Sequence, residues 1–518
     1  MPHPFRFVLV ASLLIASTAH ALEWKKLLPF SGAGEPCPMD SERRATALTI
    51  HRDPPVVAPK KVAWQNALGG AEAAQPSIQA RLVGWPTSVL VDRATLPSED
   101  APFLARLARD TWRGLDQLTD REHALPIDNV RIGDSVAIAD CHVADYSNIT
   151  NVGLHLVAVV AARELGFLDA DAARQRLEAS LKTLAQLEKY EGYFYNYYDT
   201  TSLERTSNFI SFVDSAWLTA GLMVARSAFP DLHEPCSALI DRMNFDFLYD
   251  SDKGQMSHGY YTNRAVRSPY HYGVLYTEAR LGALIAIGKG DVPRDSWFGM
   301  VRTFPASCKG QTLAPRDSRL EKIDGCEVWT GLYEWEGSRY VPSWGGSMFE
   351  ALMPVLVLDE KALAPRSLGR NDEVHSQVQQ RYATATLGYP VWGLSPSTTP
   401  DGTDYGEYGA RVLGSAGYQA GVVTPHAAAL ALATMPREAA ANLRKLASLY
   451  DIYGDYGFYD AVDPTTGRVA RKYLALDQSM LFIALANHLT GGAVQRYFTA
   501  DPITQNALPV LRQESFFD

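Results

Sequence analysis

Six acids in this chain stand apart from the other carboxylates. Most of its 58 Asp and Glu residues fall on charged helix faces, but Asp199, Asp214, Glu278, Glu350, Asp460 and Asp477 sit among aromatics or on otherwise apolar turns. Such surroundings desolvate a carboxyl group, raise its pKa and suit it to acid–base work. Two carboxyls, one protonated to assist a leaving group and one ionised to activate water or attack directly, are what cleavage of a glycosidic bond requires. Glu278 lies in Tyr270-His271-Tyr272-Gly273-Val274-Leu275-Tyr276-Thr277-Glu278-Ala279-Arg280-Leu281, after an aromatic loop and at the entry to an apolar helix. The same position fits a helix-terminal acid stabilised by the helix dipole, or a partner of Arg280. Asp477, in Leu474-Ala475-Leu476-Asp477-Gln478, opens a second apolar helix and equally fits an N-cap. Asp460 follows Tyr456-Gly457-Phe458-Tyr459, rings suited to a sugar platform, and also fits ordinary loop hydrogen bonding. No GxSxG elbow, P-loop or HExxH motif competes, the 12 His are scattered, and no Cys/His spacing suggests zinc. Neither a metal nor a cofactor is therefore expected.

The elements that would hold these acids are helical. Apolar residues at helix spacing begin with Phe103-Leu104-Leu107-Thr111-Leu115 and recur through Val152–Leu165, Leu177–Leu187, Phe212–Val224 and Leu275–Ile287. They continue at Met348–Leu356, Ala427–Leu432, Leu443–Leu449 and Leu474–Leu485. With weaker segments near 236–248, 370–386 and 500–511 the total is about twelve helices, and no βαβ rhythm interrupts them. Long aromatic, glycine-rich loops separate them, at 190–199, 258–272, 329–344, 389–418 and 450–460. Helices joined by long loops on one face fit a toroid of paired helices better than a bundle with short connections.

Composition narrows the class. A chain of 518 residues with 47% hydrophobic residues can bury a large core, which excludes a disordered protein. A formal charge of −10 argues against nucleic acid as a partner. Tyr, at 25 residues, exceeds Phe at 19, and rings with an apolar face and a polar tip suit wet grooves as well as half-buried core sites. Arg6 precedes an apolar run (7–16) that ends in Ala19-His20-Ala21, the form of a secretory signal cleaved after Ala21. No later uncharged apolar stretch approaches the roughly 20 residues needed to span a bilayer. The expected organisation is a signal over 1–21, an extended Pro/Ala/Gly-rich arm over 22–100 and one large domain over 101–518. An exported chain is permitted disulfides, and Cys308 with Cys326 brackets a polar insertion, so a bridge stapling that loop is the first expectation among the 5 Cys. Asn148-Ile149-Thr150 also matches an N-glycosylation triplet.

Several segments, taken together and in order, resemble a known family. Ser147-Asn148-Ile149-Thr150-Asn151-Val152-Gly153-Leu154 is similar to the opening of the glucoamylase-like module. So are Tyr193-Phe194-Tyr195-Asn196-Tyr197-Tyr198-Asp199-Thr200, Val213-Asp214-Ser215, Thr277-Glu278-Ala279-Arg280-Leu281 and Trp344-Gly345-Gly346-Ser347-Met348-Phe349-Glu350. Val391-Trp392-Gly393-Leu394-Ser395, Tyr456-Gly457-Phe458-Tyr459-Asp460-Ala461 and Leu476-Asp477-Gln478 complete the set, which runs over about 101–490. The module occurs in bacterial endo-β-1,2-glucanases of glycoside hydrolase family 144 and relatives, and in cyclic β-1,2-glucan synthases. The resemblance implies an all-α (α/α)6 barrel behind an irregular N-terminal extension, no metal, and a groove for a β-glucan. It makes Glu278 the general acid and Asp477 the base of an inverting hydrolase. It makes Asp199, Asp214, Tyr197, Trp344, Glu350, Trp392 and Asp460 subsite residues. The synthase modules carry an acid after Trp-Gly-(Ile/Leu)-Ser, whereas this chain reads Ser395-Pro396, a departure that favours hydrolysis over transglycosylation and removes one expected subsite contact.

The sequence thus reads as an exported, periplasmic or secreted glycoside hydrolase, endo-acting on a β-glucan with β-1,2-glucan first. Its partner is a polysaccharide or oligosaccharide substrate. Two rival readings are an enzyme that hydrolyses or remodels another exopolysaccharide, and a non-catalytic polysaccharide-binding or assembly protein.

Overall fold

Several helices of this chain are apolar on every side, and such helices have to be buried. In a computed structural model that describes residues 77–517, the main helices in chain order are α1 (Asp100–Gln117), α2 (Ile149–Glu164), α3 (Ala170–Gln186), α4 (Phe212–Ala228), α5 (His233–Arg242), α6 (Ala279–Lys289) and α7 (Met348–Leu352). They are followed by α8 (Leu368–Arg381), α9 (Pro425–Leu430), α10 (Pro436–Leu449), α11 (Ala475–Thr490), α12 (Ala493–Ala500) and α13 (Pro502–Gln513). Nearly every residue of α2, α4, α6, α9 and α11 is buried. α2 packs on α4, α4 on α6, α7 on α9, α9 on α11, and α11 back on α2. A second set covers them from outside: α3 on α2, α5 on α4, α13 on α6, α8 on α7, α10 on α9 and α1 on α11. These outer helices are amphipathic. α1 buries Phe103, Leu104, Leu107, Thr111 and Leu115 along one stripe and leaves the opposite side to water.

Two local devices hold the inner helices in place. α2 and α4 cross at Gly153 and Gly221, where a Cβ on Gly153 would lie 2.4 Å from the Trp217 carbonyl and one on Gly221 would lie 2.3 Å from the Gly153 carbonyl. Only glycine admits that approach. Between α6 and α7 the fully buried Arg280 donates to both carboxylate oxygens of Glu360, at 2.8 and 2.7 Å, and to the carbonyls of Thr277, Glu350 and Ala351. Its guanidinium links the first turn of α6 to α7, satisfying a charge that would otherwise be costly to bury.

The connecting loops are more ordered than an all-helical reading suggests. Antiparallel ladders form within them. Asn129–Arg131 pairs with His142–Ala144 and Lys472–Leu474, Tyr146–Asn148 pairs with Tyr197–Asp199, and Phe209–Ser211 pairs with Gly259–Tyr261. These strands are too short for an alternating pattern to be visible in sequence. The polar insertion after Cys308 contains a hairpin, Arg319–Ile323 with Cys326–Thr330, turned at Asp324 and Gly325. The expected Cys308–Cys326 bridge is not formed: Cys308 is disulfide-bonded, but Cys326 is a free thiol that pairs across the hairpin with Ile323. The ladder closes only the turn at Asp324 and Gly325.

Ahead of α1 the described chain is helical at 77–81 and otherwise irregular apart from a short turn at Arg93–Thr95, and it is fastened by Val91 N–H to Tyr453 O and by Trp85 Nε1 to Val136 O. The expected signal segment 1–21, residues 22–76 of the expected arm, and Cys37 lie outside the described residues. Among the described residues no helix is long and apolar enough to cross a membrane.

Candidate active site

Five of the six inner helices, all but α9, present their first turns to one cavity. Asn148 and Thr150 at the start of α2, Val213 and Asp214 in α4, Thr277 and Glu278 at α6, Phe349 and Glu350 in α7, and Leu474 and Leu476 at α11 line a single cavity of about 240 Å³. The residues that precede α2 and α4 are extended and cap them: Asn148 Oδ1 accepts from Thr150 N–H at 2.7 Å, and Ser211 Oγ from Asp214 N–H at 3.3 Å. Helix N-termini carry partial positive charge, so the cavity floor is built to tolerate carboxylates. The Asn148-Ile149-Thr150 triplet, a glycosylation signal by pattern, is one of these caps and faces the cavity.

Four acids line the cavity, and their hydrogen bonds separate them. Glu350 is saturated by Ser343 Oγ (2.9 Å), the Gly345 N–H (3.0 Å) and the Ser347 N–H (3.2 Å), the last as half of a capping box. Asp214 accepts from Thr150 Oγ1 at 2.6 Å, and Asp128 from Asn129 Nδ2 at 2.7 Å and Asn151 Nδ2 at 3.1 Å. Glu278 differs: its Oε2 is buried with no hydrogen-bond partner among the described residues. Its carboxyl is pushed up to about 8, first by burial and next by the neighbouring Glu350 charge, with a smaller contribution from Asp214. At neutral pH it therefore carries a proton and has no protein acceptor for it. That is the condition of a general acid waiting for a leaving-group oxygen.

Asp477 sits elsewhere than expected. It does not line the cavity, although its neighbour Leu476 does. It is buried in the first turn of α11 with Asp460 and with His426 of α9, and ligand-type atoms of the three lie within 4.8 Å of one another. Its carboxyl is pushed up to about 7, mainly by burial. The phenol of Tyr405, a cavity residue, feels the charges of Asp477, Asp460 and Glu278, so the two acid sites lie at the same end of the helices.

Of the proposed subsite residues, Asp214, Tyr197, Trp344 and Glu350 line the cavity, and Asp199, Trp392 and Asp460 do not. Asp199 is used by its own loop, where Oδ1 accepts from the Thr201 and Ser202 N–H groups. Trp392 is a core residue, with its backbone N–H and carbonyl both bonded to Asn442. Asp460 belongs to the cluster with Asp477. Reading the sequence missed Asp128, Tyr405, Tyr418 and Trp217, which all line the cavity. Asp128 lies in an irregular stretch between α1 and α2, and Trp217 reads as one more apolar helix residue. The Nε1 of Trp217, Oδ1 of Asn196 and Nδ1 of His258 join Glu278 Oε2 as buried cavity atoms without protein partners. Such atoms are the ones that sugar hydroxyls would satisfy.

Fold and site together define a helix-rich protein with an acid-lined, aromatic-walled cavity at its helix N-termini. Comparison with known proteins agrees. Residues 327–502 match the family model described as a putative glucoamylase, and residues 108–282 match one described as a protein of unknown function. The chain is 24% identical over 576 residues to the cyclic beta-(1,2)-glucan synthase NdvB of Rhizobium meliloti (strain 1021), a match covering 82% of this chain and 19% of that protein. It thus spans about a fifth of the length of this curated relative. An endo-β-1,2-glucanase from Chitinophaga pinensis, solved with sophorotriose and glucose, shares the fold at a TM-score of 0.66 and 16% identity over 80% of this chain and 98% of that one. A putative glucoamylase from Bacteroides caccae does so at 0.63 and 18%, over 80% and 99%. The chain carries a glucoamylase-like domain, as its motifs suggested, and has the fold of the β-1,2-glucanases.

Proposed function

We propose that this chain is an exported glycoside hydrolase that cleaves a β-glucan, β-1,2-glucan first, within the chain and with inversion. The unpartnered, protonated carboxyl of Glu278 in a cavity rimmed by Trp344, Tyr405 and Tyr418 carries the reading. Glu278 donates its proton to the glycosidic oxygen as the C–O bond breaks. Asp477 accepts the proton of the water that attacks the anomeric carbon from the opposite face. Because Asp477 lies behind the cavity wall, it takes that proton through an intervening hydroxyl, such as one on the bound sugar. Inverting pairs with a directly held water stand roughly 6.5–9.5 Å apart, and an intervening hydroxyl permits a longer separation. The packing of α11, α2, α4 and α6 in turn and of α7, α9 and α11 in turn, with Arg280 bonding α6 to α7 and one outer helix on each, supports an (α/α)6 toroid as the scaffold. The Ala19-His20-Ala21 site favours export to the periplasm or beyond.

One observation favours a different linkage. Pro396, which replaces the acid expected after Trp-Gly-Leu-Ser, lines the cavity, so an apolar ring stands where a hydroxyl acceptor was expected. Both readings are tested by incubating the purified protein with linear β-1,2-, β-1,3- and β-1,4-glucans and following chain length and product anomer by NMR. Shortened β-1,2-glucan chains released as the α-anomer support the first reading. Turnover of another linkage alone replaces it with the second, and turnover of none refutes hydrolysis of these glucans.

A further inference from the structure

The cluster behind the cavity wall has more polar groups than partners. His426, Asp460 and Asp477 are 2%, 1% and 1% exposed. His426 Nδ1 lies 3.1 Å from Asp477 Oδ2, yet Nδ1, both Asp477 oxygens and Asp460 Oδ1 all lack an aligned hydrogen-bond partner. The only well-formed bond on either carboxyl is from the Thr398 N–H to Asp460 Oδ2, at 2.7 Å. Thr424 Oγ1 stands 3.5 Å from the other ring nitrogen, Nε2. Two carboxylates packed this closely in a dry site cannot both be ionised, because neither the solvent nor a protein donor offsets their repulsion. The other charged or titratable groups acting on Asp477 are Asp128, which raises its proton affinity, and Lys472, which lowers it; the Tyr405 phenol faces the pair from the cavity side.

We propose that Asp460 and Asp477 share a single proton, held on Asp460 Oδ1, so that Asp460 and the neutral His426 are positioning residues which keep Asp477 ionised and aimed toward the cavity. This rests on the proposed role of Asp477 as the base. Thr398 fixes Oδ2 of Asp460 as an acceptor, which leaves Oδ1 as the oxygen that carries the hydrogen. The directions of titration agree: burial and the Asp477 charge drive the Asp460 carboxyl well up, and burial holds the His426 ring down at about 4, so it is neutral. A neutral ring can donate Nδ1–H to Asp477 and accept from Thr424 at Nε2. In turnover Asp477 takes up the proton lost by the attacking water, and that proton returns to solvent after product leaves, with Asp460 unchanged.

The test compares Asp460→Asn, which keeps a donor but removes the acid, with Asp460→Ala and with His426→Gln. On the glucan the wild type cleaves, Asp460→Asn should retain kcat within about tenfold, while the acidic limb of kcat/KM stays in place or rises by less than one pH unit. A neutral acid is exchanged for a neutral, weaker donor, so no charge is removed from beside Asp477. Asp460→Ala and His426→Gln should lose kcat at least about a hundredfold with KM little changed, as expected when a base is left misaligned. An acidic limb at least one pH unit lower in Asp460→Asn would show that Asp460 is ionised in the wild type and would overturn the proposal. Infrared spectroscopy supplies a readout that does not depend on turnover. The wild type should show a protonated carboxylic acid band at neutral pH beyond that of Glu278, so the Asp460→Asn minus wild-type difference spectrum should show the loss of one such band. If no glucan is cleaved but the difference spectrum shows this loss, the assignment of function fails and the shared proton stands. A difference spectrum without that loss, or a stoichiometric divalent cation in the purified protein whose removal by EDTA abolishes activity, overturns the shared proton.

Discussion

Replacing Glu278 by Gln removes an ionisable group from the cavity and leaves its shape almost unchanged. The folded protein holds this carboxyl at about 8, against an ordinary value of 4.5. Because the folded-state value is the higher one, the folded protein binds the proton more tightly than the unfolded chain. The resulting stability is complete below pH 4.5 and is lost as pH rises to about 8. The full cost of ionising such a group is at most about 5 kcal/mol. Glu278 faces the cavity rather than the dry core, so water there screens part of the charge and about 2–3 kcal/mol should remain. For the roughly 440 residues described, an unfolding entropy of about 2.1 cal/mol/K per residue converts that into a shift of about 2–3 °C. Calorimetric melts of wild type and Glu278→Gln at pH 4.5, 6 and 8.5 measure it directly. The variant should match the wild type at pH 4.5 and melt about 2–3 °C higher at pH 8.5. The difference isolates Glu278 because other raised carboxyls, among them Asp214, Glu350, Asp460 and Asp477, are present in both proteins. A difference that is independent of pH, or a variant less stable in alkali, would refute the raised proton affinity on which the acid role depends.

Other outcomes follow from the same geometry. With Asp477 needed ionised and Glu278 needed protonated, kcat/KM should describe a narrow bell that falls below about 7 and above about 8; full activity at pH 10 would exclude Glu278 as the donor. Arg280→Met leaves Glu360 as an unpaired buried charge and should destabilise by about 3–5 kcal/mol, read as a lower melting temperature or loss of soluble protein. Gly153→Ala forces a methyl against the Trp217 carbonyl and should cost about 1–3 kcal/mol in a thermal melt. Trp217→Phe removes an indole N–H that has no protein partner, so KM for the glucan should rise while the melting temperature stays within a degree or two, about the effect of a surface change.

Much of this site could be read before any coordinates, for a physical reason. Inner helices apolar on all sides leave few places for an acid, so Glu278 and Asp477 stand out at the helix starts, and both do sit in first turns or caps. The ordering of the aromatic loops likewise pointed to one functional end. What sequence spacing does not carry is which side of a loop wall a carboxyl faces. Asp477 turns toward His426, on α9, and Asp460, on a hairpin loop, so its partners come from segments that no periodicity links to it. Asp199 and Trp392 looked like subsite residues because they sit in the right motifs, but a turn and a backbone clasp with Asn442 consume them. The hairpins went unseen because strands this short carry no alternation, and the Cys308–Cys326 expectation failed because spacing does not show that the Cys308 sulfur is already committed to another disulfide.

The account stands or falls on Glu278. Its direct test is to assay Glu278→Gln beside the wild type on linear β-1,2-glucan at neutral pH, measuring product formation by chromatography and oligosaccharide affinity by calorimetry. Product formation should fall at least about a thousandfold, the upper part of the usual range for losing a general acid together with its charge stabilisation, while affinity stays within a few fold. A variant that turns the glucan over at the wild-type rate would contradict the assignment outright.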